Sequence, residues 1–148
     1  MKQIIYSILQ YRHSLLRDET FNIGIAFYLP EIDNKVIFFS SPKVSILQNI
    51  YADIDFETLT NYLKYIQFNI DNHKIEQQSA IPFDLNFKLY LKKFVLLEDS
   101  TVLQFTDPVI ISNVDNSEPL EIVKNYIKIL LSFKDNDEFT QLKNILYC

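Results

Sequence analysis

A single glycine, Gly24, among 148 residues is the scarcity that excludes most. Average usage would supply roughly ten. Motifs that need two glycines therefore cannot be built. The P-loop, the dinucleotide fingerprint, the kinase glycine-rich loop, the G-x-S-x-G elbow and the GXXG loop of KH domains are all excluded. Cysteine is equally scarce. Cys148 is the only thiol, so neither an internal disulfide nor a cysteine-based zinc site can form. With His13 and His73 the only histidines, H-E-x-x-H is absent. No cofactor or metal is expected. The apolar run Ile4–Leu9 is broken by Gln10 and Arg12 and is too short for a signal peptide. Nothing approaches the roughly 18 consecutive apolar residues of a membrane span. A cytoplasmic location, away from membranes, is the expectation.

What is present suits one globular domain over 1–148. Hydrophobic residues make up 48% and aromatic ones 14%, enough to build a core. The net charge of −5 disfavours broad nucleic-acid binding, which depends on neutralising phosphates with Lys and Arg. Residues 3–11, 21–29 and 35–40 are rich in β-branched and aromatic types and read as strands. Pro30 to Asn34 supplies a turn. Connections this short predict an antiparallel meander over 3–40. The middle, 41–95, reads as helical. Ser41-Pro42 opens a short helix to about residue 50, and Asp55 is positioned as an N-cap. Behind it Phe56, Leu59, Leu63, Ile66 and Ile70 form one apolar stripe. Residues 71–82 are polar and read as a loop, and Asp84 is read as capping a helix over 85–95. Late strands at 102–105 and 109–111 are split by Asp107-Pro108. A helix follows from Ser117 with Leu120, Val123, Ile127, Leu130 and Leu131 inward, then a terminal helix over 137–146. The expected fold is α+β: an antiparallel sheet of four or five strands with helices packed mainly on one face.

The rare residues gather near the start. Both arginines, Arg12 and Arg17, lie close to Gly24, with His13 and Glu19 between them. In a chain rich in Lys and Asn, such residues mark the places where a substitute is least expected to serve. Strict alternation puts Phe21, Ile23, Ile25, Phe27 and Leu29 on one face of the second strand. It puts Asn22, Gly24, Ala26 and Tyr28 on the other. The bare spot at Gly24 and Ala26 admits two readings: close packing by a helix or by Tyr6 or Ile8, or a groove for a ligand or partner. Arg17 and Glu19, two apart, share one side of an extended segment. They serve either as an ion pair pinning the 12–20 loop or as an anion-recognising cluster with Asn22. The acidic groups Asp53/Asp55/Glu57 and Asp135/Asp137/Glu138 look like helix-start acids rather than cation sites.

Tyr6-Ser7-Ile8-Leu9-Gln10-Tyr11, followed by Arg17-x-Glu19-x-Phe21-Asn22-Ile23-Gly24-Ile25, resembles the opening motif of a domain-of-unknown-function family of small bacterial proteins. That pattern runs roughly Y-x-[IVL]-[LV]-x-Y, a short polar loop, then R-x-E-x-x-N-[IV]-G-[IV]. The specific match covers about the first thirty residues. Asp18 stands where the family often has glycine. Family members are often encoded beside a HipA-like kinase, so the resemblance implies the small partner of a kinase-type toxin or defence protein. Two functions are therefore carried forward. One is a non-catalytic protein-interaction module acting through the β1–β2 edge and the Arg17/Glu19 loop. The other is a ligand-binding protein or enzyme acting on a phosphorylated or nucleotide substrate through Arg17, Glu19 and Asn22, with Arg12 and Tyr6 beside them. With no catalytic motif recognisable, the first is preferred.

Overall fold

The computed structural model describes residues 3–14, 19–41, 44, 47, 54–77, 80–96, 103–111 and 119–131. Its sheet is built on a long hairpin, β1 (Ile4–Ser14) and β2 (Glu19–Leu29), followed by β3 (Lys35–Ser40). Two short segments, β4 (Leu103–Phe105) and β5 (Val109–Ile111), complete it. All pairings are antiparallel, in the order β3-β2-β1-β4, with β5 also on β1. The helices are α1 (Phe56–Asn72), α2 (Phe83–Tyr90) and α3 (Pro119–Leu131). The class is α+β with five strands, as the sequence predicts. No described helix is long and apolar enough to cross a membrane.

The sheet is covered on both faces. Helices α1 and α2 bury Leu59, Ile66, Ile70, Phe87 and Tyr90 against Ile5, Leu9, Tyr28 and Phe38. On the other face α3 buries Val123, Ile127 and Leu131 against Ile4, Ile25, Phe27, Leu29 and Ile37. Two of the three described helices, α1 and α2, thus share a face, and α3 covers the opposite one. A sheet buried on both sides needs strands apolar at nearly every position. Residues Ile23 to Leu29 supply that run, with every member buried.

Local chemistry sets the element ends. The β2–β3 turn closes through Ile32 N–H to Leu29 O (3.2 Å) and Lys35 N–H to Ile32 O (3.2 Å). Its two central residues, Asp33 and Asn34, have φ of 55° and 51°. That left-handed pair matches the twist of a two-stranded hairpin, and Asp and Asn are the non-glycine residues that tolerate it best. Asn34 then links two elements. Its Oδ1 accepts from the buried Tyr28 hydroxyl, and its Nδ2 donates to Ile75 O. Burial raises the Tyr28 pKa, although hydrogen bonds with Gln77 and Asn86 pull the other way. Asp55 caps α1 as expected, accepting from Thr58 N (3.1 Å) and Thr58 Oγ1 (2.7 Å). The predicted stripe on α1 is inward: Leu59, Ile66 and Ile70 are buried, with Phe56 and Leu63 packed at the margin.

Asp84 is not a cap. The residue before α2 is Pro82, which makes no side-chain capping bond, and Asp84 lies inside the first turn. A proline ahead of the helix fixes the entry backbone, so the helix begins earlier than a side-chain cap at Asp84 would allow. Continuing from α2, Leu91–Val95 widens into a π-turn closed by Leu96 N–H to Leu91 O (2.8 Å). In the 71–82 segment, Ile75 is buried and the backbone is held by side chains. Tyr90 Oη donates to His73 O (2.6 Å) and Asn86 Nδ2 to Glu76 O (2.8 Å). Burial, helped by the charge of Asp71, pushes the Tyr90 phenol up to about 12. Of the helix expected from Pro42 to about residue 50, only Val44 and Leu47 are described, both buried. The helix expected over 137–146 lies outside the described residues.

Candidate functional site

The β1–β2 ladder is not regular. Leu9 pairs with Gly24, but Gln10 pairs with Asn22, so Ile23 is an extra residue on β2. This β-bulge reverses the alternation of the strand. Phe21 and Ile23 join the core beneath α1 and α2, together with Ala26 and Tyr28. Ile25, Phe27 and Leu29 join the core beneath α3. The single apolar face expected from Phe21 to Leu29 is therefore divided. Asn22 and Gly24, expected side by side, face opposite sides of the sheet. Ser41 N–H donates to Ile23 O (2.8 Å) and so satisfies the carbonyl of the bulged residue.

Gly24 has a packing role. A Cβ there would stand 2.8 Å from Phe38 Cζ, 3.0 Å from Phe38 Cε1 and 3.3 Å from Phe39 O. The Phe38 ring occupies the space that glycine leaves. The filling comes from β3, not from a helix or from Tyr6 or Ile8. Nor is this position at an edge, because β2 pairs with β1 on one side and β3 on the other.

Of the other candidates, Tyr6, Arg12 and Asn22 lie on the α3 side of the sheet. Tyr6 packs its ring against Phe27 (6.3 Å between centroids) and Tyr126 of α3 (5.2 Å). Burial, then the neighbouring Tyr126, raises its pKa. A neutral phenol wedged between rings is a packing residue, with its acidity moved away from physiological pH. Asn22 is exposed and its amide is engaged at both ends. Oδ1 accepts from Gln10 Nε2 (3.1 Å), and Nδ2 donates to Leu130 O (3.1 Å) at the end of α3. The second bond satisfies one of the terminal carbonyls that a helix leaves without an internal partner. Arg12, opposite Thr20, extends the same side of the hairpin and is partly buried. Glu19 pairs with Ser14 through the ladder. The side chains of His13 and Glu19, and all of Arg17, lie outside the described residues.

Structure thus brings Gln10, Arg12, Thr20 and Asn22 to one face of the hairpin, separates Gly24 from them, and leaves Tyr6 in the α3 interface. Gln10 was not anticipated. Its partner across the ladder follows only once the bulge is placed, and a lone glycine in a strand was the available signal for that bulge. Among the described strands, β3 ends opposite Gly24 and β4 begins opposite Tyr11. Among the described residues, Arg12 pairs with Thr20 and Ser14 with Glu19 beyond these points. Comparison with family models, curated proteins and solved structures returned no match.

Proposed function

We propose that this protein is a non-catalytic interaction module whose contact surface is the polar face of the β1–β2 hairpin around Arg12 and Asn22. Its partner, on this reading, is a HipA-like kinase of the toxin or defence type, the class implied by the resemblance at Tyr6–Tyr11 and Arg17–Ile25. The two proteins meet in the cytoplasm. One observation supports the reading: polar residues in and beside the family-like motif, Gln10, Arg12, Thr20 and Asn22, share one face of the β1–β2 hairpin. Polar side chains on a strand pair suit a protein surface. Asn22, tied to Gln10 and to the end of α3, fixes this face against the helix, so the surface is preorganised.

Mixing the full chain with the HipA-like kinase that this reading expects beside its gene tests this. A stable complex on size exclusion is expected. Arg12→Glu should abolish it, whereas a charge reversal on the far surface, Glu57→Lys, should leave it intact. No complex, or a complex indifferent to Arg12→Glu, overturns the reading.

A further inference from the structure

We infer that α1 pairs with α1 of a second copy of this chain, antiparallel about a two-fold axis, through the face it turns to solvent. This surface lies across the sheet from the hairpin face proposed above and does not depend on that reading. Helix α1 buries Leu59, Ile66 and Ile70 in the core against the sheet. On its outer side Asn61, Tyr65, Phe68 and Asn72 are exposed. Their spacing of four, three and four is that of the a/d seam along which two helices pack. The centre of the seam is aromatic, with Tyr65 58% and Phe68 60% exposed. Contiguous apolar surface of this kind marks an interaction site. Lys64 and Asp71 border the seam on one side, about two helical turns apart, and both are exposed.

The seam is complementary to itself, and that selects a second copy as its occupant. A two-fold axis between residues 66 and 67 sets Tyr65 of each copy against Phe68 of the other. The same axis sets Asn61 of each against Asn72 of the other. Rings thus meet rings at the centre, and amides meet amides at the ends. Asn72 Nδ2 donates to Phe68 O (2.8 Å), so its Oδ1 takes the amide of the facing Asn61. A polar layer of this kind fixes register. The flanking charges decide direction. Antiparallel pairing brings flanks of the same side together, and in this register Lys64 of each copy lies about 3 Å along the axis from Asp71 of the other. Gln67 Nε2 donates to Asp71 Oδ1 (2.9 Å), and Oδ2 takes the ammonium. Parallel pairing would instead set Lys64 level with Lys64 and Asp71 level with Asp71. At roughly 200 Å² per aromatic side chain, the four half-exposed rings of a dimer bury about 500 Å². With the flanking polar groups the total reaches about 800 Å², the scale of a weak, reversible association.

Sedimentation equilibrium of the full chain tests the pairing. A monomer–dimer equilibrium with a Kd of about 100 µM is expected. Tyr65→Lys puts an ammonium group into each central layer and should weaken the dimer at least about tenfold. Asp71→Lys opposes like charges at both flanks and should weaken it about fivefold. Adding Lys64→Asp to that variant restores both pairs with their signs exchanged, and should return the Kd to within about twofold of wild type. The substituted positions are exposed, so unchanged circular dichroism and melting of each variant establish that it is folded. A chain that stays monomeric up to about 1 mM overturns the proposal. So does association that continues past a dimer, a dimer indifferent to Tyr65→Lys, or an exchanged pair that binds no better than Asp71→Lys alone.

Discussion

Replacing Gly24 with alanine forces a methyl group into the Phe38 ring and towards the Phe39 carbonyl. Overpacking of this kind costs about 1–3 kcal/mol. Phe38→Leu shortens the obstructing side chain, so the double variant should lose less than the sum of the singles. A coupling of about 1 kcal/mol or more in denaturant melts is expected, and strict additivity would place the glycine requirement elsewhere. Neighbouring residues in the β2–β3 turn should behave differently from each other. Asp33 is exposed and Asn34 partly buried, yet both carry positive φ. Glycine relieves that backbone at either site. Asp33→Gly should change stability by no more than about 0.5 kcal/mol. Asn34→Gly loses both bonds of the amide, to Tyr28 and to Ile75, and should cost about 1–3 kcal/mol. Nothing in composition distinguishes these two positions, because the link to Ile75 spans elements far apart in sequence.

At the scale of elements, α1 was readable almost completely. A stripe with helical spacing behind a capping Asp determines its start and its inward face with no knowledge of the rest. Capping also makes its stability depend on pH. Hydrogen bonds from Thr58 hold the Asp55 carboxyl below its usual range. A depressed carboxylate pKa stabilises the fold above the unfolded value, and that contribution disappears as pH falls through the folded one. Below pH ~4 the wild-type chain should therefore lose melting temperature faster than Asp55→Ala, which lacks the cap at every pH. Asp55→Asn should keep most of the cap and lose this pH dependence. Thermal melts across acidic pH decide the matter. Equal acid sensitivity of wild type and Asp55→Asn would show that other carboxylates dominate. The Lys88-paired Asp107, lowered in the same direction, is the first to consider. The start of α2 differs from the sequence pattern because Asp84 resembles a cap, while Pro82 sets the boundary by backbone geometry. Strand β2 lies where its composition predicts, but its alternation is not uniform. One inserted residue, Ile23, exchanged its faces.

For the whole molecule, the sequence periodicities convey the α+β class and the meander, but not what covers each face of the sheet. Strand residues from Ile23 to Leu29 are apolar on both sides, and only the position of α3 across from α1 and α2 explains why. The candidate cluster was legible in part. Asn22 and Arg12 do share a side of the hairpin, with Gln10 added. Gly24 belongs to the opposite core, and Tyr6 to the α3 interface. Those assignments depend on ladder register, which no residue pattern in a single chain specifies once a bulge intervenes. What remains of the cluster is a polar hairpin face tied to the end of α3 through Asn22. Hydrogen–deuterium exchange of the full chain, alone and mixed with a HipA-like kinase of the proposed kind, tests this account most directly. Binding through this face predicts new protection concentrated at 10–14 and 19–22, with α1 unchanged. Protection confined to α1 or to the β4–β5 side, or none at all, would contradict it.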